Sequence, residues 1–383
     1  MAKKKKQNTL HAVTPLATDY SAALKSKLPT WAAAGNIMVP HHLCLEQCSG
    51  ELAARYKAQV VSQLLPQEQR RYMVDMTGGL GVDFSFIAPL FNHATYVERQ
   101  MVLCQAACHN LPLLGLAEAE VVNADGVEFV SQMKNGAADL LFIDPARRDG
   151  AGRKTVLIED CQPDVCALQS MLRSKARFVV IKLSPMLDIT AALRSLQGVA
   201  QVHVVAVGGE CKDLLLVLHG LAQAPLPTDE VSTTPIIYAH EGEERTFAFT
   251  QEQEAVATVT LATDLSGYLY EPGPAVMKAG AFKSIAAHYG LAKLHPNTHL
   301  YVAQHEVANF PGRVFRIVGT SNFSKAQLKQ LRTDCPKANI SVRNFPATVA
   351  EVRKKLKLKD GGDQFIFATT WADNQHVLIH CTK

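Results

Sequence analysis

The stretch Asp75-Met76-Thr77-Gly78-Gly79-Leu80-Gly81-Val82-Asp83 follows an apolar segment and precedes a helical pattern, and it decides the fold. Gly79 and Gly81 permit a tight turn and a close approach to a ligand, because glycine has no Cβ atom. A helix that begins near Val82 would present unpaired N–H groups at its positive end. The sequence therefore predicts a nucleotide-binding loop between a strand and a helix.

The third glycine position of the dinucleotide fingerprint G-x-G-x-x-G is occupied by Phe84. A dehydrogenase that binds a pyrophosphate normally has a small residue there, so that helix and strand can pack closely. The pattern therefore counts against a nicotinamide cofactor.

Seven apolar segments around this loop have the character of strands. The first six alternate with helical stretches at 82–91, 101–115, 127–133, 162–175 and 188–196, which predicts right-handed βαβ units and a largely parallel sheet. Only Gly208-Gly209-Glu210-Cys211-Lys212 separates the last two, which predicts an antiparallel hairpin. The predicted strands are 72–76, 94–98, 120–123, 139–144, 177–182, 201–207 and 214–219.

Two carboxylates follow the second and third predicted strands. Glu98 stands 19 residues after Gly79, where a carboxylate can accept hydrogen bonds from both ribose hydroxyls; a surface pair with Arg99 is the alternative. Asp125 could receive an adenine amino group, or it could cap the following helix.

The segments outside this alternation divide the chain further. We predict a basic tail and helical subdomain at 1–69, with helices around 22–28, 32–38 and 52–65, and then the α/β domain at 70–222. A β-rich connector is predicted at 223–266, with strands at 236–240, 246–249 and 255–261. Residues 267–310 form a turn-rich segment, and residues 311–383 form a small α+β domain of order βαβαββ.

Charge is distributed unevenly along the chain. The net charge is +4, but residues 311–383 contain 13 Lys and Arg against 5 Asp and Glu. Such a basic segment favours a polyanionic partner, nucleic acid first, with a solvated surface as the alternative. No membrane span or signal peptide is indicated, and nine cysteines without a CxxC pattern favour free thiols in the cytoplasm rather than a metal site.

The residues Asp75-x3-Gly79-x-Gly81, Glu98, Asp125 and Asp144-Pro145 resemble those of class I S-adenosylmethionine-dependent methyltransferases, over about residues 71–220. The resemblance implies a seven-stranded Rossmann-like α/β sheet that binds S-adenosylmethionine. The cofactor-binding residues implied are Asp75, Thr77, Gly78, Gly79, Gly81, Asp83, Glu98, Arg99, Asp125 and Asp144.

A narrower resemblance is to a bacterial group with a ferredoxin-like segment and a THUMP-like C-terminal domain. It is carried by Gly267-Tyr-Leu-Tyr-Glu-Pro272, Lys278-Ala-Gly280, Leu294-His-Pro-Asn-Thr-His299, Arg343-Asn-Phe-Pro346 and Lys359-Asp-Gly-Gly-Asp363. It implies methylation of RNA, such as tRNA or rRNA.

The predicted catalytic residues are Asp144, Pro145 and Lys182. Asp144 ends the fourth predicted strand, where it could hold an acceptor nitrogen in line and take its proton. Lys182 ends the fifth, where it could line the acceptor side or form a structural ion pair. Amino-methyltransferases of nucleic acids commonly have Asp/Asn-Pro-Pro-aromatic here, but this chain has Ala146 and Arg147 at the last two positions, so no ring is offered to a flipped base.

Six basic residues are predicted to contact RNA phosphates, through bidentate guanidinium contacts or a broad positive field: Arg147, Arg148, Arg343, Arg353, Lys354 and Lys357. For Arg147 and Arg148, a salt bridge to a nearby carboxylate is equally consistent with the sequence. The alternatives to an RNA methyltransferase are a non-catalytic RNA-binding protein that retains the cofactor fold, and a methyltransferase acting on DNA or protein.

Overall fold

A computed structural model describes residues 20–147, 157–222, 231–238 and 244–383. Arg148 and the basic tail predicted at the N-terminus lie outside these residues, and only the backbone of Arg147 is described. The chain divides into two compact units. The first is Met1–Asp144 with Lys175–Arg177, and the second is Pro145–Ser174 with Phe178–Lys383.

The first unit begins with four helices, α1 (Ser21–Lys27), α2 (Pro29–Ala34), α3 (His42–Gln47) and α4 (Glu51–Leu64). The predicted helix 32–38 is wrong, because Gly35 and Asn36 adopt φ values of 70° and 51° that end α2 at Ala34. Helix α3 was not predicted.

These helices pack on the glycine loop and on the helix that follows it. Leu28, directly before α2, and Trp31 of α2 share one buried cluster with Leu80 and Val82. The indole Nε1 of Trp31 also donates a hydrogen bond to Ser85 Oγ at 3.0 Å. The N-terminal helices therefore belong to the same core as the loop.

The rest of the first unit alternates strands and helices. Its strands are β1 (Tyr72–Asp75), β2 (His93–Glu98), β3 (Glu120–Asn123) and β4 (Ala138–Ile143), and its helices are α5 (Val82–Ile87), α6 (Met101–Leu113) and α7 (Gly126–Gln132). The strands lie in the order β4-β1-β2-β3, and each neighbouring pair is parallel. All six residues of β4 are buried, as expected for a strand covered on both faces. The carboxyl ends of these strands therefore lie along one edge.

The second unit continues with β5 (Ala146–Arg147), β6 (Cys161–Gln162), α8 (Val165–Lys175), β7 (Ala176–Leu183), α9 (Ile189–Ser195), β8 (Val199–Val207) and β9 (Glu210–His219). Strand β9 lies between β7 and β8 and is antiparallel to both. Gly208 and Gly209 make the β8–β9 turn with φ values of 61° and 83°, the combination that a type I′ hairpin requires. The predicted hairpin is confirmed.

The predicted connector adds strands β10 (Ser232–Tyr238) and β11 (Glu244–Thr246) beside β8, in the order β11-β10-β8-β9-β7. The α/β fold class is confirmed. In the described residues, β10 and β11 are two strands more than the seven predicted for the α/β sheet. The strand predicted at 255–261 is wrong, because Thr250 and Gln253 form a capping box that begins helix α10 (Gln251–Val256).

The C-terminal residues of the second unit form a seven-stranded sheet with four helices. The strands are β12 (Tyr268–Pro272), β13 (Ala292–His295), β14 (Thr298–Ala303), β15 (Gly312–Ser321), β16 (Asn339–Arg343), β17 (Gln364–Trp371) and β18 (Gln375–Thr382). The helices are α11 (Pro274–Ala279), α12 (Ser284–Tyr289), α13 (Lys325–Asp334) and α14 (Val349–Leu356). The strand order is β13-β14-β12-β15-β18-β17-β16. Because β12 pairs with β15, residues 267–310 and 311–383 share one sheet.

This sheet curls until strands from its two sides are hydrogen-bonded. Thr298 Oγ1 on β14 donates to the carbonyl oxygen of Thr370 on β17 at 2.8 Å. Asn344 Nδ2, directly after β16, donates to Thr298 Oγ1 at 3.0 Å. A core that includes Leu294 and Phe367 fills the interior. We call the two hydrogen bonds that join Thr298 to Thr370 and to Asn344 the polar seam.

Trp31 is 1% exposed, so Trp31→Ala should lower the free energy of unfolding by about 3–5 kcal/mol through lost burial and a cavity. Urea denaturation measures this change. The control is Met101→Ala, since Met101 is 50% exposed and should change stability by less than about 1 kcal/mol. Equal effects of the two variants would show that the N-terminal helices are not part of the core.

Candidate active site

The glycine loop is held against strand β2. A Cβ atom on Gly78 would lie 2.2 Å from Cε2 of Tyr96, so only glycine fits there. Gly79 and Gly81 have φ values of 56° and 89°, in the left-handed region that other residues rarely adopt. The Tyr96 hydroxyl donates a hydrogen bond to the carbonyl oxygen of Gly79. The three glycines thus have different roles, one steric and two conformational.

Glu98 ends β2 and holds the same loop from its other side. Its carboxylate, on a residue that is 8% exposed, accepts hydrogen bonds from the backbone N–H of Gly79 at 3.0 Å and of Gln100 at 2.8 Å. A carboxylate offers about four lone-pair sites, so these bonds leave capacity for a ligand hydroxyl. Arg99, next in the chain, is exposed.

Asp75 lies at the carboxyl end of β1 and is 2% exposed. The Thr77 N–H donates to its Oδ1 at 3.0 Å. The pKa of Asp75 is raised to about 8, mainly by burial and then by the negative charges of Asp83, Asp144 and Glu98, whereas the Thr77 bond acts in the opposite direction. A cation beside Asp75 would favour its charged form.

Asp144 follows β4 and is partly exposed. Its backbone N–H donates to Thr77 Oγ1 at 2.6 Å, so the hydroxyl of the glycine loop fixes the start of the Asp144–Pro145 segment. The sequence identified Thr77 as a cofactor ligand but gave no sign of this bond, because the two residues are 67 positions apart.

Asp125 caps helix α7. Its Oδ1 accepts hydrogen bonds from the N–H groups of Val127 at 2.9 Å and Glu128 at 3.1 Å. The next residue, Gly126, packs so closely on the backbone directly after β1 that a Cβ atom would lie 1.9 Å from the carbonyl oxygen of Met76. The structure therefore shows the capping role that the sequence left open, and adenine binding by Asp125 stays a prediction.

Asp83 is held by a buried lysine that sequence reasoning missed. Lys57 of α4 is 0% exposed, and its Nζ lies 2.8 Å from Asp83 Oδ1 and 2.7 Å from Ser49 Oγ. Ser49 Oγ in turn donates to Asp83 Oδ2 at 2.8 Å. Lys57 lies in a segment with an ordinary helical pattern, so only its burial reveals it.

The charge balance of the loop fits a cationic nucleoside cofactor. Lys57 compensates Asp83. The acidic side chains of Asp75, Glu98 and Asp144 lie at or directly after the carboxyl ends of β1, β2 and β4, where open α/β sheets bind their ligands. A sulfonium and an ammonium group would be attracted there, and a pyrophosphate would be repelled. The residues present therefore fit S-adenosylmethionine better than a nicotinamide dinucleotide.

The remaining predicted catalytic residues lie in the second unit. Pro145 is buried, and Lys182 is 7% exposed on β7, opposite Leu215 of β9. Their roles stay predictions.

Two of the basic residues predicted for RNA binding form ion pairs within the protein. Arg343 pairs with the buried Glu271 on β12 at 2.7 Å, and Arg353 pairs with Asp360 at 2.6 Å. Lys354 is exposed on α14, and the exposed Lys357 caps that helix with a φ of 56°. Both predicted arginines whose side chains are described, Arg343 and Arg353, thus have a carboxylate partner.

Within the described residues, no three His, Cys, Asp or Glu side chains are grouped as metal ligands. Nor does any helix of the described segments have the length and apolar character needed to cross a bilayer.

The raised pKa of Asp75 makes stability depend on pH. Because the folded state keeps the Asp75 proton up to about pH 8 and the unfolded chain releases it near its ordinary pKa, this contribution to stability is complete below about pH 4 and is lost as the pH rises to about 8. Asp75→Asn should flatten this part of the pH profile of unfolding free energy, measured with urea. An unchanged pH profile in the Asp75→Asn variant would contradict the raised pKa of Asp75.

Lys57→Met should lower the free energy of unfolding by about 3–5 kcal/mol, because it strands the carboxylate of Asp83 in a mostly buried position. Adding Asp83→Asn should recover part of the loss. The control is Arg55→Met, which breaks a pair whose arginine is 53% exposed and should cost less than about 1 kcal/mol. Urea denaturation compares the variants, and similar losses for Lys57 and Arg55 would refute the buried pair's importance.

Comparisons with known proteins identify the C-terminal domains and similar proteins. Family models match a ferredoxin-like domain at residues 268–311 and a THUMP domain-like region at residues 312–383. The chain is 25% identical over 319 residues to proteins of two Mycobacterium tuberculosis strains, CDC 1551 / Oshkosh and ATCC 25618 / H37Rv. Each is named an "uncharacterized S-adenosylmethionine-dependent methyltransferase", and the match covers 82% of this chain and 80% of each relative.

A crystal structure of a "putative methyltransferase" from Porphyromonas gingivalis W83 is 38% identical in sequence and superposes with a TM-score of 0.85. The match covers 95% of this chain and 88% of that one. Together with the two C-terminal family models, this identity over nearly the whole length shows that the chain belongs to the family of S-adenosylmethionine-dependent methyltransferases with ferredoxin-like and THUMP-like C-terminal domains.

Proposed function

We propose that this protein transfers a methyl group from S-adenosylmethionine to a base in RNA. The choice of S-adenosylmethionine as methyl donor is supported by the acidic side chains of Asp75, Glu98 and Asp144 around the glycine loop. These groups favour a cationic nucleoside and disfavour a pyrophosphate. When bound, the cofactor supplies an electrophilic methyl group on a positively charged sulfur.

The cofactor-binding residues divide by role in this proposal. Glu98 accepts the ribose hydroxyls with the lone pairs that its bonds to Gly79 and Gln100 leave available. Asp75 provides a negative charge for the amino group, ionising as the cation approaches. Arg99 and Asp125 border the site at the ends of β2 and β3.

Asp144 is the proposed catalytic residue. Its backbone is fixed by Thr77, and its side chain follows directly from the buried strand β4, so the carboxylate is presented from a rigid position. An acceptor nitrogen that donates to this carboxylate is oriented for in-line attack, and the carboxylate can take the proton that methylation releases. Pro145 limits the backbone directly after it.

RNA is the proposed substrate because of the C-terminal residues. The matched THUMP-like region 312–383 carries the basic excess found in the sequence, 13 Lys and Arg against 5 Asp and Glu over 311–383. A positive field of this kind positions a polyanion without reading its sequence. The exposed Lys354 and Lys357, with Arg343 and Arg353, are the proposed phosphate contacts.

The methyl donor is tested first by calorimetry with S-adenosylhomocysteine and with NADH. Binding of S-adenosylhomocysteine without binding of NADH supports the proposal, and tight binding of NADH alone would overturn it. Glu98→Gln should weaken S-adenosylhomocysteine binding, because an amide offers fewer acceptor sites to the ribose.

Asp144→Ala should reduce methyl transfer by at least about 100-fold and change the affinity for S-adenosylhomocysteine far less, since the carboxylate acts on the acceptor and this product has no sulfonium charge for it to attract. The assay follows labelled methyl transfer to total RNA from a strain that lacks this protein, compared with RNA from the parent strain. Glu210→Ala, which removes an exposed carboxylate of the β8–β9 turn, is the control.

The outcomes separate the alternatives. Transfer to deletion-strain RNA alone identifies an RNA methyltransferase, and RNA binding without transfer would identify a non-catalytic binding protein. Full activity of the Asp144→Ala variant would remove Asp144 from the catalytic role.

A further inference from the structure

A buried carboxylate on β12 holds two arginines. Glu271 is 4% exposed, and its Oε2 accepts a hydrogen bond from Nε of Arg313 at 2.7 Å and another from Nη2 of the same residue. Its Oε1 accepts from Nη2 of Arg343 at 2.7 Å. We call Arg313 and Arg343 the arginine pair.

The arginine pair carries one positive charge more than Glu271 can compensate. The side chains of Arg313 and Arg343 remain 50% and 45% exposed. Arg313 gives two of its five N–H donors to Glu271, and Arg343 gives one to Glu271 and one to the carbonyl oxygen of Val342. N–H donors therefore remain on both exposed guanidinium groups.

Both guanidinium groups are held in place before any ligand arrives. The guanidinium carbon of Arg313 lies 5.4 Å from the ring centre of Phe315. Arg343 precedes Asn344, which the polar seam fixes through Thr298. Immobilised donors lose little conformational entropy on binding, which favours affinity.

Three of the stretches singled out in the sequence meet near this position. Glu271 belongs to Gly267–Pro272, Arg343 and Asn344 to Arg343–Pro346, and Thr298 to Leu294–His299. One guanidinium would be enough to neutralise Glu271, and a second, half-exposed one adds repulsion that a bound anion would relieve. Planar guanidinium forks match the oxygens of a phosphate.

We propose that the arginine pair is a preorganised clamp for one phosphate group of the RNA backbone. The clamp rests on the proposed RNA substrate, and it adds Arg313 to the binding residues and gives Glu271 a positioning role. It differs from a diffuse positive field because it depends on geometry as well as on charge.

The first test uses the full-length variants Arg313→Gln and Arg343→Gln, with fluorescently labelled bulk tRNA as the probe. Each variant leaves Glu271 with one arginine, and thermal melting checks that it folds. Each should weaken binding and reduce the slope of log affinity against log salt by about 0.7–0.9, the loss expected for one phosphate contact. Arg316→Gln, an exposed arginine also on β15, is the matched control for a charge lost outside the clamp.

The second test uses Glu271→Gln, which raises the net charge by one and loosens both guanidinium groups. The clamp predicts weaker tRNA binding, whereas a diffuse field predicts equal or tighter binding, and either of those results would overturn the proposal. If this variant fails to fold, the two arginine variants decide alone.

A third arm separates RNA from a small phosphate ligand. Orthophosphate, titrated at constant ionic strength, should not displace tRNA from the wild-type protein. Orthophosphate binding that depends on Arg313 and Arg343, with tRNA affinity unchanged in both variants, would overturn the RNA assignment.

Failure of the clamp can be told from failure of the proposed function. If the wild-type protein binds and methylates RNA but the Arg313, Arg343 and Arg316 variants bind alike, only the clamp is refuted. If the wild-type protein neither binds nor methylates RNA, the proposed substrate fails and the clamp with it.

Discussion

The close packing of Gly78 on the ring of Tyr96 is the constraint on which the candidate cofactor site depends. It brings the glycine loop down onto β2, where the Tyr96 hydroxyl and the Glu98 carboxylate bind the carbonyl and the N–H of Gly79. The loop in turn fixes Asp144 through Thr77. The ends of β1, β2 and β4 are thus linked by a few short hydrogen bonds.

The N-terminal helices serve this site although the sequence suggests a separate subdomain. Trp31 and Lys57 both reach the segment 82–87 that follows the loop, one through burial and one through a salt bridge to Asp83. Lys57 also affects the charge balance of the loop, because it compensates Asp83. A buried pair of this kind stabilises only while both partners are present.

The C-terminal segment, residues 268–383, joins two family domains in one sheet. Pairing of β12 with β15 makes the ferredoxin-like and THUMP-like segments continuous, and the polar seam closes the sheet between Thr298, Asn344 and Thr370. This closure brings Arg343 to Glu271 although the two residues are 72 positions apart. The proposed phosphate clamp is therefore a product of the curled sheet.

The sequence by itself determined the strand and helix alternation and the Gly208–Gly209 hairpin, because hydrophobic period and glycine position are local signals. The choice of S-adenosylmethionine as cofactor came from the resemblance of the sequence motifs to class I methyltransferases. The sequence could not exclude a strand at 255–261, although a capping box at Thr250 begins a helix that extends to Val256. Only the tertiary structure decided that Lys57 holds Asp83, that Thr77 holds Asp144 and that Glu271 joins Arg313 to Arg343. Those bonds join residues far apart in the chain, and no periodicity encodes which buried charges will meet.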